Sequence, residues 1–298
     1  MHSSIPYLGE GLSLLAAILW ALAVVFFRKC GERVHPLALN SFKNLFALIL
    51  FIPTMWLFGE AFFYQAPFAI YLIFMLSGVI GIGVGDTIFF NSLNRLGAGL
   101  TGIVVCMYSP FIICLSILLL GERLTPLQII GALMIIIAVL IATYEKRTRS
   151  INRKQIVLGV LLGILSSACM AVGIVMIKPL LPHYPLLWLT GVRLFGGSVV
   201  LGLLLLFYPA RRKIVNSLIS TRRWTYTITG SFIGAFLAML VWLAGMKYTQ
   251  ASIASALNQT SIIFIFIFAG FILREPINIR RVFGIILAFV GSFLVSFG

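Results

Sequence analysis

The sequence predicts an all-α polytopic membrane protein, with ten transmembrane helices forming two inverted five-helix repeats. Three observations predict it. The 298 residues are 61% hydrophobic and only 10% charged, with a mean hydropathy of +1.12; a soluble domain carries about 25% charged residues. Apolar runs of about 20 residues, the length that crosses a bilayer, recur along the whole chain. The chain also repeats itself. At an offset of 153 residues Gly81 falls on Gly234, Ala98 on Ala251, Glu122 on Glu275 and Gly131 on Gly284.

Taken in order, the spans are expected near residues 8–28, 37–58, 68–92, 98–119 and 125–144, then 156–178, 185–207, 226–247, 250–272 and 280–297. The gaps between them are short and carry the polar and helix-breaking residues. Pro36, Pro126, Pro182, Pro185 and Pro276 sit where helices start or stop. No basic stretch precedes the first apolar run, whose cations Arg28 and Lys29 follow it instead. That run is therefore expected to be retained as span 1 and not removed as a signal peptide.

The repeats divide the chain at residues 1–146 and 147–298, with Pro36 matching Pro185 and Lys29 matching Lys178. Five spans is an odd number, so two copies in series face opposite ways across the membrane. That is the plan of secondary carriers, whose substrate site lies at the repeat interface near the midplane.

The net charge of +15 does not point to nucleic acid, because the cations gather in the gaps between apolar runs. Of the 22 Lys and Arg residues, 17 fall on the side of loops 1–2, 3–4, 5–6, 7–8 and 9–10, and only 3 on the other. The positive-inside rule then places both termini outside the cytoplasm. The four cysteines (Cys30, Cys106, Cys114 and Cys169) have no metal-binding spacing and read as small core residues. No catalytic triad, nucleotide loop or metal cluster is present in the sequence, so no cofactor and no metal are expected. Gly81, Gly83 and Gly85 follow no strand, and close helix packing is their reading.

The segment SPFIICLSILLLGERLTPLQIIGALMI, its echo ILREPINIRRVFGIILAFVGSFL, the Trp20 region LLAAILWALAVVFFRK and the Pro185 to Arg193 stretch together resemble the EamA-type carriers of the drug/metabolite transporter superfamily. The resemblance runs over the whole chain as two units. It implies ten helices around a central cavity and the transport, often export, of small metabolites such as amino acids. Spans 1, 3, 4, 6, 8 and 9 would line the cavity, and spans 5 and 10 would act as packing struts. The chain departs from the pattern at Ile263, where the first repeat has Pro110, and at Asn44, where the second has Arg193. The charge count also reverses the cytoplasmic termini that many relatives keep.

Ionisable groups inside a span are costly, by about 2.5–3.5 kcal/mol at a helix centre, and so mark candidate sites. Asp86 in span 3 is the one carboxylate well inside a span. It reads either as a proton-titrating or amine-binding group in the cavity, or as a permanent partner of Lys43 or Arg193. Lys43 and Arg193 lie two turns into the second helix of their repeats. Either could neutralise Asp86, hold a substrate carboxylate or snorkel to an interface. Asn258 and Gln259 belong to a polar patch in span 9, with Tyr108 and Ser109 as their counterparts in span 4. Such groups line a cavity or bond between helices. Trp20 and Trp242 lie within spans, as cavity wall or packed core, whereas Trp56, Trp188 and Trp224 near span ends read as interface anchors. Glu122 and Glu275 are expected to cap the helix that follows each of them.

The expected function is a secondary active carrier of a small metabolite (an amino acid or similar), working by alternating access and not an enzyme. The substrate-binding candidates are Trp20, Lys43, Asp86, Tyr108, Ser109, Arg193, Trp242, Asn258 and Gln259. The expected partners are that substrate, possible coupling protons and the lipid bilayer of the cell membrane; nucleic acid is excluded. A monomer or homodimer is expected. Two other classes stay open: a flippase or membrane enzyme acting on lipid-linked substrates, and a non-transporting sensor or scaffold.

Overall fold

Every regular element among the described residues is helical. The computed structural model describes residues 7–61, 63–120, 125–143, 153–248, 257–275 and 278–297. Glu122, Ala251 and Pro276, used above as landmarks, lie outside them. The helices are α1 (Leu8–Gly31), α2 (Pro36–Leu57), α3 (Phe68–Leu96), α4 (Ala98–Val105), α5 (Tyr108–Leu120) and α6 (Pro126–Thr143). The second half holds α7 (Arg153–Val175), α8 (Leu186–Phe207), α9 (Arg211–Ile219), α10, α11 (Leu257–Leu273) and α12 (Ile279–Phe297). Helix α10 is built of three abutting segments, Trp224–Gly230, Ser231–Leu237 and Ala238–Tyr248.

Helices α1, α2, α3, α7, α8 and α10 are long and apolar enough to cross a bilayer, and spans 4, 5 and 9 appear as shorter apolar helices. Only 39% to 50% of each long apolar stretch is buried within the protein. The remainder, including Leu203, Phe207 and Phe232, faces outward and needs an apolar solvent.

Local chemistry sets the boundaries. Pro36 opens α2 at its first turn, where a missing N–H costs nothing, and the His35 ring accepts from the Leu37 N–H at 3.3 Å. Gly97, at φ 81, supplies the left-handed kink between α3 and α4 that a side chain would resist. Span 4 is two helices rather than the expected one. Pro110 cannot donate to the Cys106 carbonyl, and that carbonyl instead accepts from Ser109 N at 3.2 Å, so the chain turns between α4 and α5. The stretch expected as the loop between spans 7 and 8 contains α9, which holds three cations in its first turn and buries Ile214.

Two π-helical segments, Gly78–Gly85 in α3 and Ser231–Leu237 in α10, begin at positions 153 residues apart, the offset of the sequence repeat. Wide turns of this kind release carbonyls from the helical ladder. In α3 the buried Asn40 amide donates to two of them, Ile82 O at 3.0 Å and Gly83 O at 3.1 Å.

The halves pack in exchange-related pairs. Helix α1 packs on α10 and α3 on α7, while α2 meets α8, α4 meets α11 and α6 meets α12. Exchanging the two repeats carries this set of pairings onto itself. Glycines let the backbones approach: a Cβ on Gly78 would lie 1.9 Å from the Arg193 carbonyl oxygen, and one on Gly291 2.7 Å from that of Gly131. A Cβ on Gly173 would lie 3.1 Å from the Gly81 backbone and one on Gly83 2.4 Å from a Val200 methyl, so the glycine run of α3 serves close packing.

Candidate functional site

The charged candidates converge. Lys43 of α2 and Asp86 of α3 form a salt bridge with side chains only 5% and 13% exposed. Asp86 sits immediately after the π-helical segment of α3, and the Lys43 ammonium also lies 5.4 Å from the Phe90 ring centroid. Lys43 therefore does not snorkel, and the pairing left open by the sequence is made.

Arg193 of α8 is 6% exposed. Its Nε donates to Ser77 Oγ at 3.0 Å, and the Ser77 hydroxyl donates onward to the Gly173 carbonyl, joining α8, α3 and α7. Neither terminal nitrogen of the guanidinium meets an acceptor among the described residues. One of them, Nη2, lies 3.9 Å from where a Cβ on Gly81 would stand, so the missing side chain leaves room beside it. Asp86 and Tyr108 lie near enough to interact with the Arg193 guanidinium.

A second group adjoins this one. Gln259 of α11 donates to Ser109 of α5, bridging the two repeats. A small cavity of about 20 Å³, room for one water, lies among Trp20, Phe89, Thr101, Val105, Gln259 and Ser261. Trp20 and Phe89 pack with ring centroids 6.1 Å apart and form its aromatic wall. Trp242 lies half-buried in α10, and neither it nor Asn258 lines this cavity.

Four features were not anticipated. Trp188 is no interface anchor: it is 1% exposed, enclosed by Tyr64, Tyr71, Phe74 and Tyr184 with ring centroids 4.9–5.7 Å away. Glu275 caps not the helix that follows it but α4, in the other repeat, accepting from Ala98 N at 2.7 Å and Gly99 N at 3.1 Å. Glu60, after α2, likewise accepts from Trp188 N of α8 at 3.0 Å. Asn40 was also overlooked, although an amide four residues from Asn44 in an apolar span was a signal worth following.

The six long apolar helices and their outward-facing apolar surface define a multi-pass membrane protein. The sequence pattern of the EamA-like transporter family matches residues 7–144 and again 157–297, and the chain belongs to that family, carrying two copies of its unit. It is similar to a protein of Archaeoglobus fulgidus described as an uncharacterized transporter, 25% identical over 95% of this chain and 96% of the relative. It also resembles the uncharacterized transporter YetK of Bacillus subtilis (strain 168), 31% identical over 44% of this chain and 39% of that protein. A protein solved by crystallography superposes with a TM-score of 0.68 over 99% of this chain and 96% of its own, at 17% identity, a likeness of fold alone.

Proposed function

We propose that this transporter is a secondary carrier of the cell membrane, moving a small metabolite of amino-acid size by alternating access and, as the family resemblance implies, outward. Ten spans in two inverted halves, with the termini away from the cytoplasm, complete the reading. The observation that carries it is the buried cluster of Lys43, Asp86 and Arg193 in an apolar bundle, together with the hydrogen bond from Gln259, a wall residue of the small cavity, to Ser109 across the halves. Charges so placed are retained at a cost of several kcal/mol, and a passing substrate gives them a use. The exchange-related helix pairs support two halves that rock about a shared axis.

Trp20 would supply apolar wall, Gln259, Asn258, Tyr108 and Ser109 hydrogen bonds, and Arg193 a counter-charge. Trp242 would join only on a rearrangement that brings it to the cavity. Asp86 is the carboxylate available for coupling transport to protons, and in this arrangement it is held by Lys43. No part of the reading calls for catalysis, since the same bond occupies the central carboxylate.

The test is counterflow in proteoliposomes. Vesicles preloaded with a metabolite are expected to take up its labelled form through the wild-type chain, and far more slowly through Arg193→Gln. Failure of well-folded wild-type protein to exchange any member of a broad panel would favour a sensor or scaffold.

A further inference from the structure

Charge accounting at the central cluster narrows the cargo. Three ionisable side chains meet there, two cationic and one anionic. Lys43 and Asp86 satisfy one another. Arg193 is left with a net positive charge, 6% exposed, its Nε committed to Ser77 and its two terminal nitrogens without an acceptor among the described residues. A guanidinium taken from water without a counter-ion of its own is unfavourable by several kcal/mol, and the one nearby carboxylate, Asp86, is held by Lys43. An anion relieves that cost, and the two terminal nitrogens match the two oxygens of a carboxylate.

The same accounting works against other charges. Asp86 is the sole carboxylate in the middle of any span, and it already holds Lys43, so an ammonium group on the cargo finds no free acceptor charge. A second carboxylate would bring a negative charge with no cation left to meet it. The neighbouring cavity offers aromatic and neutral polar walls, Trp20 and Phe89 beside Thr101 and Gln259. Its volume of about 20 Å³ is too small for any metabolite, so the cargo enters as the halves part.

We infer that the cargo is an organic monoanion, a single carboxylate held by the terminal nitrogens of Arg193, with an uncharged, largely apolar body and no ammonium group. The inference rests on the carrier reading above and narrows it from metabolites in general, amino acids included, to acids that lack the amine.

The experiment uses four matched probes on the purified full-length chain: 3-phenylpropanoate, L-phenylalanine, 2-phenylethylamine and phenylsuccinate, presenting a monoanion, a zwitterion, a cation and a dianion on one body. Affinity is read by thermal shift and by equilibrium dialysis. The expected result is that 3-phenylpropanoate binds at least tenfold more tightly than each of the others and that Arg193→Gln weakens it at least tenfold. If Arg193→Gln gives no cooperative melt, Arg193→Lys is used; it keeps the charge, loses the paired geometry and is expected to weaken binding severalfold. Equal or tighter binding of the zwitterion, the amine or the dianion overturns the inference. So does monoanion affinity indifferent to Arg193, or no binding of the monoanion. Counterflow of the bound probe separates the two claims. Binding without exchange removes the carrier and leaves the charge preference, whereas exchange of L-phenylalanine keeps the carrier and removes the preference.

Discussion

Glu275, at the end of α11, accepts hydrogen bonds from the backbone N–H groups of Ala98 and Gly99, at 2.7 and 3.1 Å, and so caps a helix 177 residues earlier in the chain. The carboxylate satisfies orphan donors at the start of α4 and meets the positive end of its dipole. Glu60 does the same for α8, again across the repeats. On the proposed ten-span topology Glu60 follows span 2 and Glu275 follows span 9, which would set the two caps on opposite membrane faces. Rocking halves would hold one and release the other. Glu275→Gln is expected to destabilise the chain by about 0.5–2 kcal/mol, the worth of a lost cap. It is also expected to raise labelling of the cavity from its own face, and Glu60→Gln from the other. Equal effects of both on one face would dissociate the caps from gating.

Gly78 presses on the backbone of Arg193, its would-be Cβ only 1.9 Å from a carbonyl oxygen that no rotamer can move. Gly78→Ala is expected to cost 3 kcal/mol or more, at about the upper end for overpacking. It is also expected to abolish substrate binding, because α3 and α8 carry Asp86 and Arg193. Gly11, with nothing within 4 Å of its Cβ position, is the matched control. Melting curves of the two alanine variants decide it.

The salt bridge of Lys43 with Asp86 makes a prediction in three parts. Lys43→Met leaves a buried carboxylate unpaired and is expected to cost about 3–5 kcal/mol, whereas Lys43→Met combined with Asp86→Leu restores most of that stability. The double variant is expected to melt near wild type and to transport nothing. A double variant no more stable than the single one would show that the pair is not energetically coupled.

His35 sets a pH limit. Its ring nitrogen accepts from Leu37 N, which requires the neutral form, and burial holds its pKa below the usual 6.5. The unfolded chain therefore binds a proton that the folded chain refuses as pH falls through the usual value. Stability is complete above about pH 6.5 and declines through the lower folded value. His35→Asn keeps a capping side chain and removes the titration. Its melting temperature is expected to vary less than that of wild type between about pH 7.5 and 5.

The helices and their order could be read from the chain because prolines, glycines and charged gaps mark their ends locally. The bond between Lys43 and Asp86 was one of the sequence's own alternatives, since a lone carboxylate in apolar spans must find a cation. The partner of Glu275 could not be read. A carboxylate that caps a distant helix bonds to backbone N–H groups, which every residue except proline presents. Trp188 was misjudged for a related reason: its distance from a span end says where it sits along the membrane normal, not whether Tyr71 and Phe74 enclose it. The π-helical turns of α3 are equally silent in sequence, where their glycines serve packing as well.

The central claim is that a site between the halves opens to each membrane face in turn. Thr101, fully buried and lining the small cavity, is the position to probe. In a chain whose four native cysteines are replaced by serine or alanine, Thr101→Cys would be exposed to a membrane-impermeant thiol reagent from either side of oriented vesicles. Slow labelling from both faces, suppressed by saturating cargo, is the result the account predicts. Labelling from one face only, or from neither, would contradict it.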